Sequence, residues 1–426
     1  MDGISVGAES VDLKIYLQPI VEVATGTAAS AEALARFSAP WAGSTESAFA
    51  DAFARGRGVE LEAKCLRAAL DARDQLPVGM SLAVNVSPEA LVHPLIRRIW
   101  STDLGNVIVE VTEQHPGRAD GLSEQVARLR RRGAAISIDD VSTGYSGLLR
   151  VASLRPDYVK IDRQIITGVE HSIPQATVLE ALVAFSHRLD AAVIAEGIEH
   201  LDELAALAKL DVDLAQGYAI ARPAGQLAPI PSEVINLCRE GRRHVLDQLA
   251  SVGSAAAAMF GRHSVTAALA QTVGFPDLAA TIARAADQLR VDVIGVWMLR
   301  DEDYLEEVAV TGEALAPARF AWRQYRSART TISTQTPVEV HRNDPGEDHT
   351  ERQVLGRLGH ANALLVPFCN AAHPMGMLEL AHRTSRRWTS HDIAYARILA
   401  DQLGVLLPKL DGTLPAASRA AASDVP

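Results

Sequence analysis

The chain has 426 residues, 48% hydrophobic and 22% charged, with a formal net charge of −11 at pH 7. That acidity excludes the basic face of a general nucleic-acid binder, while a small anionic ligand is still allowed wherever a bound cation inverts the local field. The length suits two domains, one of them able to form a barrel of about 250 residues. Cys65, Cys238 and Cys369 are scattered, with no CxxC pair, a pattern that suits a reducing compartment and argues against structural zinc. MDGISVGAES has neither a basic n-region nor an apolar h-region, and no apolar stretch is long enough to span a bilayer. The expectation is a cytoplasmic protein without a membrane partner.

In chain order, DLKIYLQPIVEV (12–23) reads as a strand carrying Gln18 and Pro19, the proline pointing to an edge or a strand end. Seven apolar runs follow: AEALAR (31–36), SLAVNVS (81–87), VIVEVTE (107–113), AAISIDD (134–140), YVKID (158–162), AVIAEGIE (192–199) and LAQGYAIAR (214–222). Helical patterns at 47–73, 122–133, 175–189 and 201–210 separate several of them, the second stopping at Gly133 behind Arg130, Arg131 and Arg132. Val- and Ile-rich runs of this length read as strands buried on both faces, and their alternation with helices predicts an α/β fold around a parallel sheet. A TIM-type (β/α)8 barrel is expected.

Near their ends the runs carry Glu32, Asn85, Glu110, Glu113, Asp139, Asp140, Lys160, Glu196, Glu199 and Gln216. Barrel strands bring their C-terminal ends to one site. Carboxylates gathered there repel one another unless a cation holds them, which points to a divalent metal.

The Pro/Gly-rich stretch 221–232 places the end of the first domain near residue 228, giving a domain at 10–228. A helical linker or plain connector is expected at 229–261. The second domain, 262–408, shows a helix at 275–290, strands at 291–299 and 303–312, a hairpin of 362–369 with 374–383, and a closing helix at 390–407. This is an α+β module with an antiparallel sheet. The Ala/Ser/Pro-rich tail, 409–426, is expected to be disordered.

With LQPIV upstream of AEALAR, then AVNVSP, VEVTE, IDDVSTGYSGL, YVKID, AEGIE and QGYAIARP in that order, the first half resembles the EAL-domain family. Members are cyclic-di-GMP phosphodiesterases, some of them inactive receptors. The resemblance implies two Mg2+ or Mn2+ ions, one held by Glu32, Asn85, Glu110 and Asp139, the second shared by Asp139 and completed by Asp140 and Glu196. It places Lys160 near the attacking water, Glu196 as general base, and Gln18, Arg36 and Gln216 near the substrate. Glu113 would anchor the loop after Asp140, and Asp162 and Glu199 would be outer partners. Hard oxygen ligands suit magnesium or manganese, and paired metals suit phosphodiester hydrolysis.

Blander readings stand beside these. A single acid at a strand end is commonly a helix N-cap or a solvated charge, which is the reading for Asp140 alone. His115, His187 and His200 read as helix or surface histidines, and Arg130–Arg132 as a solvated helix end. One departure stands out: the family's loop D-D-F-G-T-G-Y-S-S here has Val141 and Ser142 at its third and fourth positions. In the family this loop couples metal binding to dimerisation, so a homodimer is expected and the catalytic rate is open. The second module resembles a GAF domain, implying an unidentified small ligand, with Cys369 as a small buried hydrophobe. Two functions remain: hydrolysis of cyclic-di-GMP to pGpG under GAF control, or an inactive cyclic-di-GMP receptor or scaffold.

Overall fold

Eight strands close into a barrel within the first of two units, Met1–Arg242. The structure, a computed structural model, describes residues 4–5, 10–11, 13–38, 44–100, 103–112, 121–141, 151–251, 269, 272, 274–300, 303–311, 319–344, 346–370, 373–384 and 388–411. The barrel strands are β1 (Leu13–Glu22), β2 (Ala28–Phe37), β3 (Ser81–Val86), β4 (Val107–Thr112), β5 (Ala135–Val141), β6 (Tyr158–Ile161), β7 (Ala192–Ala195) and β8 (Leu214–Ala215). From β2 round to β8 each strand runs parallel to the next.

The expected uniformly parallel sheet is broken at β1, which is antiparallel to both β2 and β8. The cause is local. The β1–β2 connection is a tight turn in which Gly26 N donates to Glu22 O at 2.7 Å and Gly26 adopts φ +71°. Parallel neighbours need a crossover of a dozen residues or more. Pro19 also departs from expectation: it lies mid-strand, paired with Ala31, in a barrel without edges. On its other side β1 meets Ala215 through Val21 and Ala224 through Leu17. Strand alternation aims position 19 into the gap between those two partners, where no ladder donor is required.

The helical pattern at 47–73 divides into α1 (Thr45–Ala54) and α2 (Gly58–Asp71), with Gly56 at φ +69° between them. Besides two short helices at Pro88–Val92 and Pro94–Arg97, the unit carries α3 (Leu122–Arg130), α4 (Arg163–Ile166), α5 (Ile173–Arg188) and α6 (Leu201–Lys209). Inside the barrel Ile20, Ala83, Ile108, Ile194 and Leu214 form a buried apolar layer with Ala135, Tyr158 and Ala192 packed against it. A single helix, α7 (Ser232–Ser251), follows the 221–231 exit. Residues 252–261 of the expected linker lie outside the described residues.

The second unit, Arg243–Pro426, holds a six-stranded antiparallel sheet. Its strands are β9 (Val293–Arg300), β10 (Tyr304–Val310), β11 (Arg319–Ala321), β12 (Val338–His341), β13 (Asn362–Asn370) and β14 (His373–His382), in the order β11-β10-β9-β14-β13-β12. The helices α8 (Phe275–Leu289) and α11 (Ser390–Asp411) share a core with one face through Leu278, Ile282, Leu399 and Leu403. The other face packs against α9 (Arg326–Thr334) and α10 (His349–Arg357) through Ala328, Ile332 and Leu355. Residues 409–411, expected in a disordered tail, complete α11; 412–426 lie outside the described residues. Among the described residues no helix is long and apolar enough to cross a membrane.

Candidate active site

Side chains on a strand repeat every two residues on one face, so the residue two positions beyond the apolar layer again points inward. Counting that step gives Asn85 after Ala83, Glu110 after Ile108, Lys160 after Tyr158, Glu196 after Ile194 and Gln216 after Leu214. On the reversed strand β1 the same step from Ile20 leads to Gln18, which pairs in register with Glu32 on β2. Asp139 follows buried Ser137 on β5. Each of the eight strands therefore delivers one inward-phase polar residue to the same mouth, Gln18 and Glu32 from within β1 and β2 and the others from at or near the strand's end.

Lys160 is at the centre. Its ammonium lies 2.7 Å from Glu196, 2.8 Å from Glu110, 3.3 Å from Asp139 and 3.7 Å from Glu32, and the residue is 1% exposed. Asn85 Nδ2 donates to Glu32 Oε1 at 2.6 Å, and Gln216 Nε2 donates to Glu32 Oε2 at 2.7 Å. Gln216 Nε2 also reaches Gln18 Oε1 at 3.1 Å, while Gln18 Nε2 donates to the Ala221 carbonyl at 3.0 Å. The two glutamines thus tie the last strand's turn to the first two strands.

Electrostatics set these groups apart. Burial opposes ionisation of Glu32, but Lys160 and the amides of Gln216 and Asn85 outweigh it and hold its carboxyl below the usual range. Burial pushes Glu110 well up despite Lys160, and the surrounding carboxylates add to the rise. Glu196 is pushed up to about 8, by burial first and then by Asp139 and Glu32 against the pull of Lys160. Burial works against the Lys160 charge, yet four carboxylates raise its pKa well above the ordinary lysine value.

The donor set suits a hard divalent cation: carboxylates and carboxamides, with buried Glu110 Oε1 lacking any hydrogen-bond donor. The carboxylates are arranged around the Lys160 ammonium, and among the described residues no three His, Cys, Asp or Glu side chains are grouped as ligands of one ion. The chemistry fits a metal, and the acids are held in a lysine-centred arrangement.

Arg36 lies on the same face of β2 as Glu32 and Leu34, two residues beyond Leu34; its guanidinium donates to the Ala35 carbonyl at 2.9 Å. Asp162 is the N-cap of α4, accepting from Gln164 N at 2.7 Å. Glu199 pairs with Arg163 at 2.9 Å on the rim, away from the lysine. Glu113, Ser142 and the Asp140 side chain lie outside the described residues. A cavity of about 290 Å³ opens beside the mouth, lined by Gln18, Glu32, Glu196 and Gln216 and also by Leu34, Arg163 and Tyr218. Sequence reading missed the last three. Tyr218, 51% exposed, has the Arg222 guanidinium 4.3 Å over its ring. An aromatic in QGYAIAR reads as core, and nothing in its spacing marks it as a mouth residue.

The EAL domain model matches residues 4–223, just over half of the chain. The chain belongs to the EAL domain family. A GAF domain model matches residues 278–407, the region of the antiparallel sheet. Among the relatives of this EAL-domain chain is the probable cyclic di-GMP phosphodiesterase PdeG of Escherichia coli, 28% identical over 222 residues, 49% of this chain and 44% of PdeG. Another is the cyclic di-GMP phosphodiesterase NbdA of Pseudomonas aeruginosa, 29% identical over 225 residues, 50% of this chain and 29% of NbdA. The chain thus spans less than half the length of either. The solved BlrP1 of Klebsiella pneumoniae, a calcium and cyclic-di-GMP complex, is 30% identical with a TM-score of 0.46, covering 51% of this chain and 57% of BlrP1.

Proposed function

We propose that the barrel hydrolyses cyclic-di-GMP to linear pGpG with the help of two divalent ions, magnesium or manganese. The observation that carries this reading is the meeting of Glu32, Glu110, Asp139 and Glu196 around Lys160 at one barrel mouth. Membership of the EAL family and the names of PdeG and NbdA support the substrate. Glu32, Asn85, Glu110, Asp139 and Asp140 would hold the ions, which when bound activate water and offset phosphate charge.

The chain's own residues then divide the work. Glu196, whose carboxyl is raised in the metal-free protein, would be deprotonated by the cations and take the proton of the attacking water. Lys160 stays charged and steadies the negative charge developing beside it. Gln18 and Gln216 fix the wall against which the substrate lies, and Arg36 offers a fork for a phosphate. In this proposal the GAF unit takes a small ligand and controls the rate, the chain works as a homodimer, and the site of action is the cytoplasm.

The second reading, a cyclic-di-GMP receptor without turnover, rests on Val141 and Ser142, which stand at the third and fourth positions of the family's D-D-F-G-T-G-Y-S-S loop. Incubation with cyclic-di-GMP and Mg2+ or Mn2+, with chromatography of the product, separates the two. Metal-dependent pGpG from the wild type, reduced about 100-fold or more in Glu32→Ala, is the expected result. Ligand binding without product would establish the receptor.

A further inference from the structure

Glu203 is outside the polar ring, yet it is 1% exposed and carries a carboxylate in the first turn of α6. One oxygen accepts from the backbone N–H of Glu199 at 2.9 Å and of His200 at 3.1 Å; the other accepts from Gly168 N at 3.3 Å. An anion at a helix N-terminus with three backbone donors is a strong anchor. Glu199 and His200 belong to the segment 196–200, which carries Glu196 into the mouth.

That segment has little freedom of its own. Gly197 adopts φ +68°, and a Cβ there would lie 2.4 Å from Arg163 Cβ. A Cβ on Gly217 would lie 2.2 Å from the backbone of Ile198. The segment is also sewn to its neighbours by Glu196 N to Ile161 O at 3.1 Å and Ile198 N to Gln216 O at 3.1 Å. Besides the Glu199–Arg163 pair and Ala219 N donating to Ile198 O at 3.0 Å, the segment is supported by the start of α6. The other end of α6 carries Ala208, and a Cβ on Gly241 of α7 would approach Ala208 Cβ to 2.5 Å. The two helices approach closely through Gly241 and Ala208.

We propose that Glu203 is a positioning residue that sets the place of Glu196, and that α7 acts on the mouth through α6 by the Gly241–Ala208 contact. This rests on the reading of Glu196 as the general base. The tight contacts make a continuous path from α7 to α6, to the Glu199 and His200 amides, to Glu196.

Hydrogen exchange at the Glu199 and His200 amides of the metal-free full chain tests the path without requiring turnover. Glu203→Ala is expected to lose roughly tenfold or more of their protection, and Glu203→Gln, whose carbonyl oxygen still accepts, to keep most of it. If the alanine variant does not fold, Glu203→Asp, one methylene short of its donors, should show the same loss. In the loaded enzyme Glu203→Ala should lower kcat about 10- to 100-fold with KM little changed, and Glu203→Gln should rescue it. Gly241→Ala should open the same amides and lower kcat in the same direction. Wild-type protection in Glu203→Ala would overturn the positioning role, and lost protection with unchanged kcat would overturn its link to Glu196. Wild-type protection in Gly241→Ala would overturn the α7 arm. A wild type without turnover would sink the catalytic reading, while the exchange measurements would still decide whether Glu203 holds the segment.

Discussion

Replacing Lys160 with methionine keeps most of the side-chain volume and removes the charge. In the metal-free protein this leaves Glu32, Glu110, Asp139 and Glu196 without the ammonium that lies 2.7–3.7 Å from each. Breaking a buried ion pair by removing one partner destabilises by about 3–5 kcal/mol. For a unit of this size, each kcal/mol shifts Tm by about 2–4 °C, so the barrel transition should fall by roughly 6–20 °C.

The loss should depend on pH in a definite direction. Glu110 and Glu196 already have folded pKa values above the ordinary carboxyl value of 4.5, the latter at about 8, and without Lys160 both rise further. Between the unfolded and folded values the native variant binds more protons than its unfolded chain, so stability falls as pH rises through that window. The wild-type lysine stays charged throughout, because its folded pKa is raised above an ordinary value of 10.5. Thermal unfolding at pH 5, 7 and 9 should therefore show a small gap between variant and wild type at pH 5 and the widest gap at pH 9. Added Mn2+ should narrow it by binding the native state. Turnover should be lost while cyclic-di-GMP binding stays measurable. A variant that melts within about 2 °C of wild type at pH 9 without metal would refute the view that Lys160 balances this cluster.

Gly217→Ala places a Cβ 2.2 Å from the Ile198 backbone and should destabilise the barrel by about 1–3 kcal/mol; an unchanged urea midpoint would contradict the close approach. In the second unit, burial lifts the Glu379 carboxyl to about 6 against a donor bond from Trp297 Nε1 at 2.8 Å. Its folded pKa exceeds the unfolded 4.5, so that unit should lose about 2 kcal/mol as pH rises from about 4 to 7. Trp fluorescence during denaturation should follow the loss, and Glu379→Gln should flatten it; an equal slope in the variant would assign the effect elsewhere.

The barrel was legible because most of its inner strands are Val/Ile runs that end in a polar residue at the inward phase, as in VIVE and YVK. Strand direction was not. LQPIV reads the same whichever way it runs, and only the tight turn at Gly26 reverses β1 against its neighbours. In the second unit α9 escaped notice because RSARTTIST is rich in Ser and Thr, which favour helices little. Packing overrides that preference, with Ala328, Thr331 and Ile332 buried on one face at helical spacing. The two short strands β11 and β12 carry too few residues to show a period. Glu203 was hidden for another reason: an acid in the first turn of a helix reads as an ordinary dipole partner, and only the fold shows which amides it holds.

Charge accounting explains how such a site survives folding. Four carboxylates against one ammonium would leave three uncompensated negative charges in a mouth where Glu110 and Lys160 are essentially buried. Burial resolves part of this by raising Glu110 and Glu196, so protons carry what the lysine does not. Glu32 is the exception: against burial, Lys160 first and then the amides of Gln216 and Asn85 keep it ionised. Glu32 is thus held ionised by Lys160 and two neutral amides, while Glu110 and Glu196 are raised first of all by desolvation. On the proposed two-ion reading, a divalent ion entering here would displace protons from the raised carboxyls, so its affinity should increase with pH.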